Sequence, residues 1–454
     1  MKVAFVNQPI DCILPPRQNS VGSCTFGVAQ ILAKHCEVVV YGSRDSNAGC
    51  GPEIYSQGVR YKFFAFTRSD RWLFRARKNY SRLAPGASPL STSGLLHLSY
   101  ARQVALDLRQ QACDVIHIQH CSQFVPIIRE FNPTAKIVLH LHAEWFSQGD
   151  HRIFERRMQN VDLVTAVSGY VADKTRGDFP AIASRCEVMY NGIDPREFNH
   201  DKDYRAARTK TKRILYAGAI SPHRGVHILL EAFKIVVKSY PDVRLELVGP
   251  LGNYALQETF DVRDGALRKS VAPYYAFKPT ELLKAKLFPG SAKRESYKSR
   301  LESMMPAELL NKVTFHGWVD RPHLIEHYYE GDIFVFPSIC NDSFGIPVVE
   351  AMAAGAPVVA SRSGGVVETV KDRETGFIVE KNDPQQLAHA LLRLLECDAL
   401  RETMGRAGRE RALKNFTWDR VADSMLKRYQ TLSGIASPVP ADALLEYASV
   451  DMVG

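Results

Sequence analysis

Two carboxylates separated by seven residues, Asp342 and Glu350, bracket Ser343-Phe344-Gly345-Ile346-Pro347. Just upstream, the apolar run Ile333-Phe334-Val335-Phe336-Pro337-Ser338 predicts a buried strand ending at a turn. Pro347 suits the first position of a helix, Ala351 to Ala354 favour its interior, and Gly355 suits its stop. Strand, loop and short helix would gather free N–H groups and the positive end of a helix dipole at Gly345 to Val348, a site for an anion. A phosphate would not take carboxylates as direct partners. Sugar hydroxyls would, because an ionised carboxylate accepts hydrogen bonds in pairs. Phosphates at the helix start and hydroxyls on the acids together describe a sugar nucleotide. Taken alone, the same residues fit a capped helix with incidental acids equally well.

The elements that must position this group follow from length and pattern. A chain of 454 residues exceeds one ordinary core and suits two domains of about 200 residues each. With 45% hydrophobic and 24% charged residues it has the composition of a folded globular chain rather than a disordered one. No stretch approaches the roughly 18 apolar residues that cross a bilayer, so any membrane contact is expected to be peripheral. The net charge of +9 favours anionic partners, whether nucleotides, lipid surfaces or nucleic acid, without choosing among them. Nine dispersed cysteines with no CxxC pair suggest reduced thiols in the cytosol. The apolar run in Met1 to Gln8 is too short for a signal peptide. Nothing in the sequence speaks to oligomeric state.

In the first half, Lys2 to Val6 reads as a strand, followed by a long loop through Ser20-Val21-Gly22-Ser23, a helix from Phe26 to Lys34 and a strand from Glu37 to Tyr41. This is a βαβ unit, and sheets built from such units bind ligands beyond the carboxyl ends of their strands. Residues 68–82 interleave Arg68, Arg71, Arg75, Arg77, Lys78 and Arg82 with Trp72, Leu73 and Phe74, a pattern fitting either a membrane-surface segment or a solvated face. Residues 84–94 read as a loop on the acceptor side. Helix and strand signals then alternate through Lys136 to Leu141. His117, His120, His140 and His142 with Cys121 raise the question of zinc, but the spacing lacks a full ligand set. His142 closes a strand at the carboxyl edge, where a neutral imidazole can bond a sugar hydroxyl or help polarise a leaving group. Asn191-Gly192 is a turn signal, and Pro195 to Thr211 is polar enough for a linker. The second half restarts the pattern with a strand at Arg213 to Ala217, the loop Gly218 to Gly225 and a helix from Val226, implying two facing Rossmann-like domains with a cleft between them.

Asp342 and Glu350 with Phe344-Gly345 and Pro347 between them, continuing as Glu350-Ala351-Met352-Ala353-Ala354-Gly355-Ala356-Pro357-Val358-Val359, resemble the acidic signature of glycosyltransferase family four, the retaining group with the GT-B fold. The family usually has Glu at the first acidic position, so Asp342 is a shortened version. The resemblance is strong over about 310–432 and looser over 1–249. It implies an α/β GT-B architecture: a first domain over 1–194, a linker over 195–212, a donor-nucleotide domain over 213–417, a helix over 418–432 packing back on the first domain, and a tail over 433–454. It also implies transfer of a sugar from a nucleotide-diphosphate sugar, uridine being the common base, to an acceptor hydroxyl on a sugar or lipid-linked molecule. No metal and no further cofactor is expected.

By the same resemblance Glu350 holds the ribose, Asp342 the donor sugar, and Arg224 with the N–H groups of Gly345 and Ile346 the diphosphate. Ser343 and Phe344 belong to that loop, Gly22 and Gly218 to the two glycine loops, and Trp318 and Val319 to the wall of the base pocket. His142 matches the family's donor-site histidine. Two departures stand out. Ala219 replaces the Arg usual there, with His223 or a cation of the insertion at about 250–308 as a substitute, and that insertion is itself rich in Lys, Arg and Tyr. The insertion is expected to be partly helical and to cover the cleft or touch an acceptor; nucleic acid is the less favoured partner because no recognisable RNA-binding module appears. Rival readings are a nucleotide-sugar epimerase on the same fold and a nucleotide-binding scaffold weakened by Ala219. The expected location is cytoplasmic, with possible peripheral contact at the inner membrane face through 68–82.

Overall fold

A computed structural model describes residues 1–83, 95–144, 150–204, 211–251, 265–275 and 296–434. The loop expected over 84–94, most of the insertion and the tail beyond 434 lie outside the described residues. Eight strands form the first sheet: β1 (Lys2–Val6), β2 (Glu37–Ser43), β3 (Glu53–Ser56), β4 (Val59–Phe64), β5 (Val115–Gln119), β6 (Lys136–Leu141), β7 (Leu163–Ala166) and β8 (Cys186–Val188). Their spatial order is β3-β4-β2-β1-β5-β6-β7-β8. Every pair is parallel except β3 with β4. The second sheet is wholly parallel, with order β11-β10-β9-β12-β13-β14. Its strands are β9 (Lys212–Ala217), β10 (Val243–Val248), β11 (Val313–Gly317), β12 (Ile333–Phe336), β13 (Val358–Ser361) and β14 (Gly376–Val379). Near-continuous apolar runs such as Val3-Ala4-Phe5-Val6 and Ile333-Phe334-Val335-Phe336 are what a sheet covered on both faces requires.

The final helix, Trp418–Ser433, belongs to the second half of the chain yet packs on the first domain. A Cβ on Gly27 would lie 2.6 Å from the Trp418 indole nitrogen, so the two helices meet only because position 27 lacks a side chain. Deeper in, the Tyr429 hydroxyl and His117 Nδ1 are hydrogen-bonded at 2.7 Å, both residues being buried.

Two expectations are corrected. The helix following β1 starts at Ser20, so Gly22 is in its first turn and not in a loop. Asn19 caps it by accepting from Gly22 N–H, and a Cβ at 22 would lie 1.9 Å from the Cys12 carbonyl oxygen. Asn191-Gly192 does not turn. The chain runs extended past the start of the final helix, with Ile193 N–H bonded to the Phe416 carbonyl and Trp418 N–H to the Ile193 carbonyl. In the insertion's described part the Tyr297 hydroxyl is hydrogen-bonded to His227 Nδ1 at 2.8 Å, and the Tyr274 ring lies against the same imidazole at 4.3 Å. As expected, that part is helical, over Gly265–Tyr275 and Tyr297–Ser303. Its Leu267 and Val271 pack on Ile339, beside the loop that carries Asp342.

Replacing Tyr429 with Phe leaves a buried imidazole nitrogen without its partner. We expect a loss of about 1–3 kcal/mol, read as a lower urea midpoint at unchanged slope.

Candidate functional site at the interdomain seam

The short helix forms over Ile346–Ala353, with Pro347 in its first turn and Gly355 at φ +83° just past its end. Gly345, at φ +84°, turns the chain into it, a backbone conformation that side-chain-bearing residues rarely adopt. The tip faces the first domain: Ile346 packs against the hydrophobic clusters of both domains. Phe344 stands 6.0 Å from Tyr190 and 5.6 Å from Phe416, ring centre to ring centre. Phe344 is therefore buried packing, and its N–H is given to Asp342 Oδ1 at 3.1 Å; its side chain does not line an open donor site.

Asp342 sits closer to the helix tip than the sequence suggests. It forms a short ion pair with Arg224, and its own N–H is held by Ser363 Oγ at 2.9 Å. Burial works to raise its pKa, but the Arg224 charge and hydrogen bond and the N–H groups of Phe344 and Gly345 outweigh it, so the carboxyl lies below its ordinary range. The helix start thus already meets an anion, and that anion is neutralised by the cation expected to hold phosphate. Arg224 ends the turn Pro222–Arg224, which Gly225 at φ +71° presses against β12: a Cβ there would be 1.9 Å from the Pro337 carbonyl oxygen. Gly218 follows β9 at φ +147°, and its carbonyl is approached so closely by Gly249 that a Cβ on Gly249 would lie 2.0 Å from it. Tyr216 donates its hydroxyl to the Ala219 carbonyl at 2.7 Å, which fixes the loop that lacks the usual Arg. His223 cannot replace that charge, because burial lowers its pKa to about 3 and keeps it neutral.

Glu350 is buried, with Oε1 2.5 Å from Arg321 Nη1 and Oε2 accepting from the Tyr328 hydroxyl at 2.8 Å. Arg321 also reaches Glu197 through Nη2 at 2.5 Å. Burial, then the charges of Asp11 and Glu350, push the Cys24 thiol of the first domain upward. Arg321 and Tyr328, on the helix Arg321–Glu330, are absent from the sequence reading. The Asp320-Arg321-Pro322 start, with Asp320 capping His323 N–H, is the signal that could have found this helix. Trp318 is 65% exposed, so it does not pack, while Val319 packs on the core. Ser343 is half-buried beside Gly365.

On the opposite side, His142 follows β6 with Nε2 2.7 Å from Gln119 Oε1. Burial, then His140 and His120, hold its pKa well below the ordinary value. Burial also lowers His117 to about 3 and His120 to about 4. The ring nitrogens of this cluster go to Tyr429, Thr165 and Gln119, and among the described residues it is not a set that could share a metal ion. At His142 a cavity of about 10 Å³ lies between the first domain and the final helix, also lined by Gln119, Tyr190, Asn191 and Trp418, room for about one water. Glu368 latches the seam by accepting from Gly169 N–H at 2.7 Å and Tyr170 N–H at 2.8 Å.

Residues 198–411 match the family model for glycosyl transferases group 1, and residues 28–197 match that for glycosyltransferase family 4. The chain belongs to this glycosyltransferase family. Spore coat protein SA of Bacillus subtilis is 26% identical over 447 residues, 95% of this chain and 99% of the relative. A D-inositol 3-phosphate glycosyltransferase of Corynebacterium urealyticum is 27% identical over 317 residues, 66% of this chain and 65% of the relative. In structure, Anabaena Alr3699/HepE, solved in complex with UDP-glucose, superposes with a TM-score of 0.63 over 95% of this chain and 100% of its own, at 19% identity. This likeness shows that the family's GT-B fold is the fold here, two α/β domains with parallel-strand sheets. Among the described residues, no helix of this glycosyltransferase is long and apolar enough to cross a membrane.

Behind Gly22, the buried Asp11 accepts from Asn19 Nδ2 at 2.9 Å and from Gln8 N–H at 3.0 Å. Burial outweighs these bonds and raises its pKa to about 6. The folded state therefore binds this proton more tightly than the unfolded chain, and stability falls as pH rises from about 4 to 6. The loss is about 3 kcal/mol from this group. In Asp11→Asn this part of the pH dependence should vanish, measured as denaturant midpoints at pH 4 and 7, whatever the variant's absolute stability.

Proposed function

We propose that the protein transfers a sugar, with retention at the anomeric carbon, from a UDP-sugar to a hydroxyl of a sugar or lipid-linked acceptor in glycan, polysaccharide or glycolipid synthesis. One observation carries the reading: the Arg224–Asp342 pair stands at the tip of the helix that also bears Glu350, and that tip meets the first domain. A diphosphate at the tip would take over Arg224 and release Asp342 to sugar hydroxyls, so the cation moves from an internal anion to the donor's. Glu350 would exchange Arg321 and Tyr328 for the ribose, and His142, kept neutral by burial, would face the donor sugar from across the seam. Closure around the donor would exclude water and align the acceptor. In the front-face mechanism a phosphate oxygen takes the acceptor proton, so no catalytic metal is invoked. The UDP-glucose complex of the structural neighbour supports uridine as the base.

Glu350 having both oxygens occupied, and Ala219 lacking a charge, favour a second reading, a weakened enzyme that binds donor without turnover. The exposed Trp72 on the helix Arg68–Leu83 is compatible with peripheral membrane contact from the cytoplasmic side.

The test is calorimetric titration with UDP and UDP-sugars, followed by a transfer assay in EDTA with the product anomer read by NMR. Arg224→Met should weaken UDP binding by about 1.5–3 kcal/mol, and Asp342→Asn should lower kcat more than it changes UDP affinity. Ala219→Arg should tighten UDP binding. Binding with no turnover selects the second reading; an epimerised donor formed without acceptor selects an epimerase; an inverted product or no UDP binding removes the proposal.

A further inference from the structure

Outside the seam, three side chains that ordinarily ligate metals converge at the free edge of the second sheet. Glu246 projects from β10, His316 from the neighbouring edge strand β11, and His327 from the helix Arg321–Glu330. Their ligating atoms all lie within 4.8 Å of one another. His327 Nδ1 is 3.3 Å and His316 Nε2 3.7 Å from the same carboxylate oxygen, Oε2 of Glu246. Tetrahedral zinc with bonds near 2.0–2.1 Å separates its ligand atoms by about 3.3 Å, so both histidine-to-Glu246 distances are already within a few tenths of an ångström of that spacing. The two imidazole rings are 4.5 Å apart at 60°, which lets their lone pairs converge without the rings stacking.

The local backbone explains the convergence. The β10–β11 ladder pairs Leu247 with Phe315 and Val248 with Gly317, so His316 is the additional residue of a bulge. A bulge re-aims its side chain, and here the aim is toward Glu246. The side chains of His316, His327 and Glu246 retain 28%, 15% and 14% of their exposure, so an ion could enter and keep a water. The opposing charge is Arg213, whose Nε is 3.8 Å from the other oxygen of Glu246, and Arg213 is itself bonded to Glu330 at 2.5 Å.

We propose that Glu246, His316 and His327 form a three-ligand site for a divalent transition ion of the zinc class, with a water in the fourth position. Nitrogen and carboxylate donors in a small partly buried shell suit zinc or cobalt and not the larger, all-oxygen shell of calcium. The ion would staple the helix Arg321–Glu330 to the sheet edge. The residue after His327 is Tyr328, which donates to Glu350, so the staple would fix a helix that holds one of the seam's acids. This site stands whether or not the transferase reading does.

The full chain, stripped with chelator, is titrated with cobalt(II) chloride, and zinc affinity is measured against a chromophoric chelator. The expected result is one ion per chain, visible cobalt bands of tetrahedral intensity and no thiolate charge-transfer band, because no cysteine is a ligand. H316Q and H327Q should each weaken zinc binding by more than about a hundredfold, beyond the roughly 10–100-fold that outer-shell partners are worth, and the H316A/H327A double variant should lose it. Zinc should raise the melting temperature of the parent chain and not that of the double variant. Melting of all variants without metal confirms that they fold. Absence of a stoichiometric ion, a thiolate band, or undiminished binding in the double variant would overturn the proposal.

Discussion

A carboxylate buried beside a guanidinium at the start of a helix is the constraint on which the site depends. Arg224 is the main influence holding the Asp342 carboxyl below its ordinary range against burial, and Asp342 in turn balances the Arg224 charge. Each partner fixes a different loop: Asp342 the segment leading into the helix Ile346–Ala353, Arg224 the turn after β9. Serine and glycine of a third loop close the arrangement, since Ser363 Oγ accepts from Asp342 N–H and Gly365 N–H bonds the Asp342 carbonyl. Three strand ends of one sheet are thus drawn to a single charged point.

Around that point the two domains share parts rather than merely touch. The last helix of the chain completes the core of the first domain, and the described part of the linker lies on the second. Phe198 is buried, Lys202 donates to the Gly331 carbonyl at 2.8 Å, and Glu197 pairs with Arg321. Arg321 in turn holds Glu350, so a linker residue and a seam residue compete for the same guanidinium. Motion of the linker would be felt directly at that acid.

What could be read from the sequence was what is encoded locally. The site helix is punctuated by Pro347 and Gly355, and the buried strands announce themselves as short apolar runs. The helix containing Gly22 begins six residues earlier than its apolar pattern, because its cap, Asn19, is anchored by Asp11 from the preceding loop. Arg321 carries no local mark of importance; its partners are 29 residues away at Glu350 and 124 away at Glu197. His223 looks like a spare cation in a glycine loop until burial is known, and then it cannot hold charge. Phe344 shows the same limit from the other side, since a motif position can be occupied for packing. The Glu246–His316–His327 group depends on a bulge and on two strands and a helix meeting, none of which spacing reveals.

Glu368 bonds across the seam. It belongs to the second domain, yet it is the acceptor for the leading amides of the helix Gly169–Asp178 in the first. Ser168 caps that helix from within its own domain, and Glu368 adds acceptors for two further amides from outside it, so parting the lobes would leave those two amides and the carboxylate to water. Water restores both bonds only in part, so the separated arrangement carries a built-in restoring tendency. One carboxylate thus ties the end of a helix in one lobe to the other lobe.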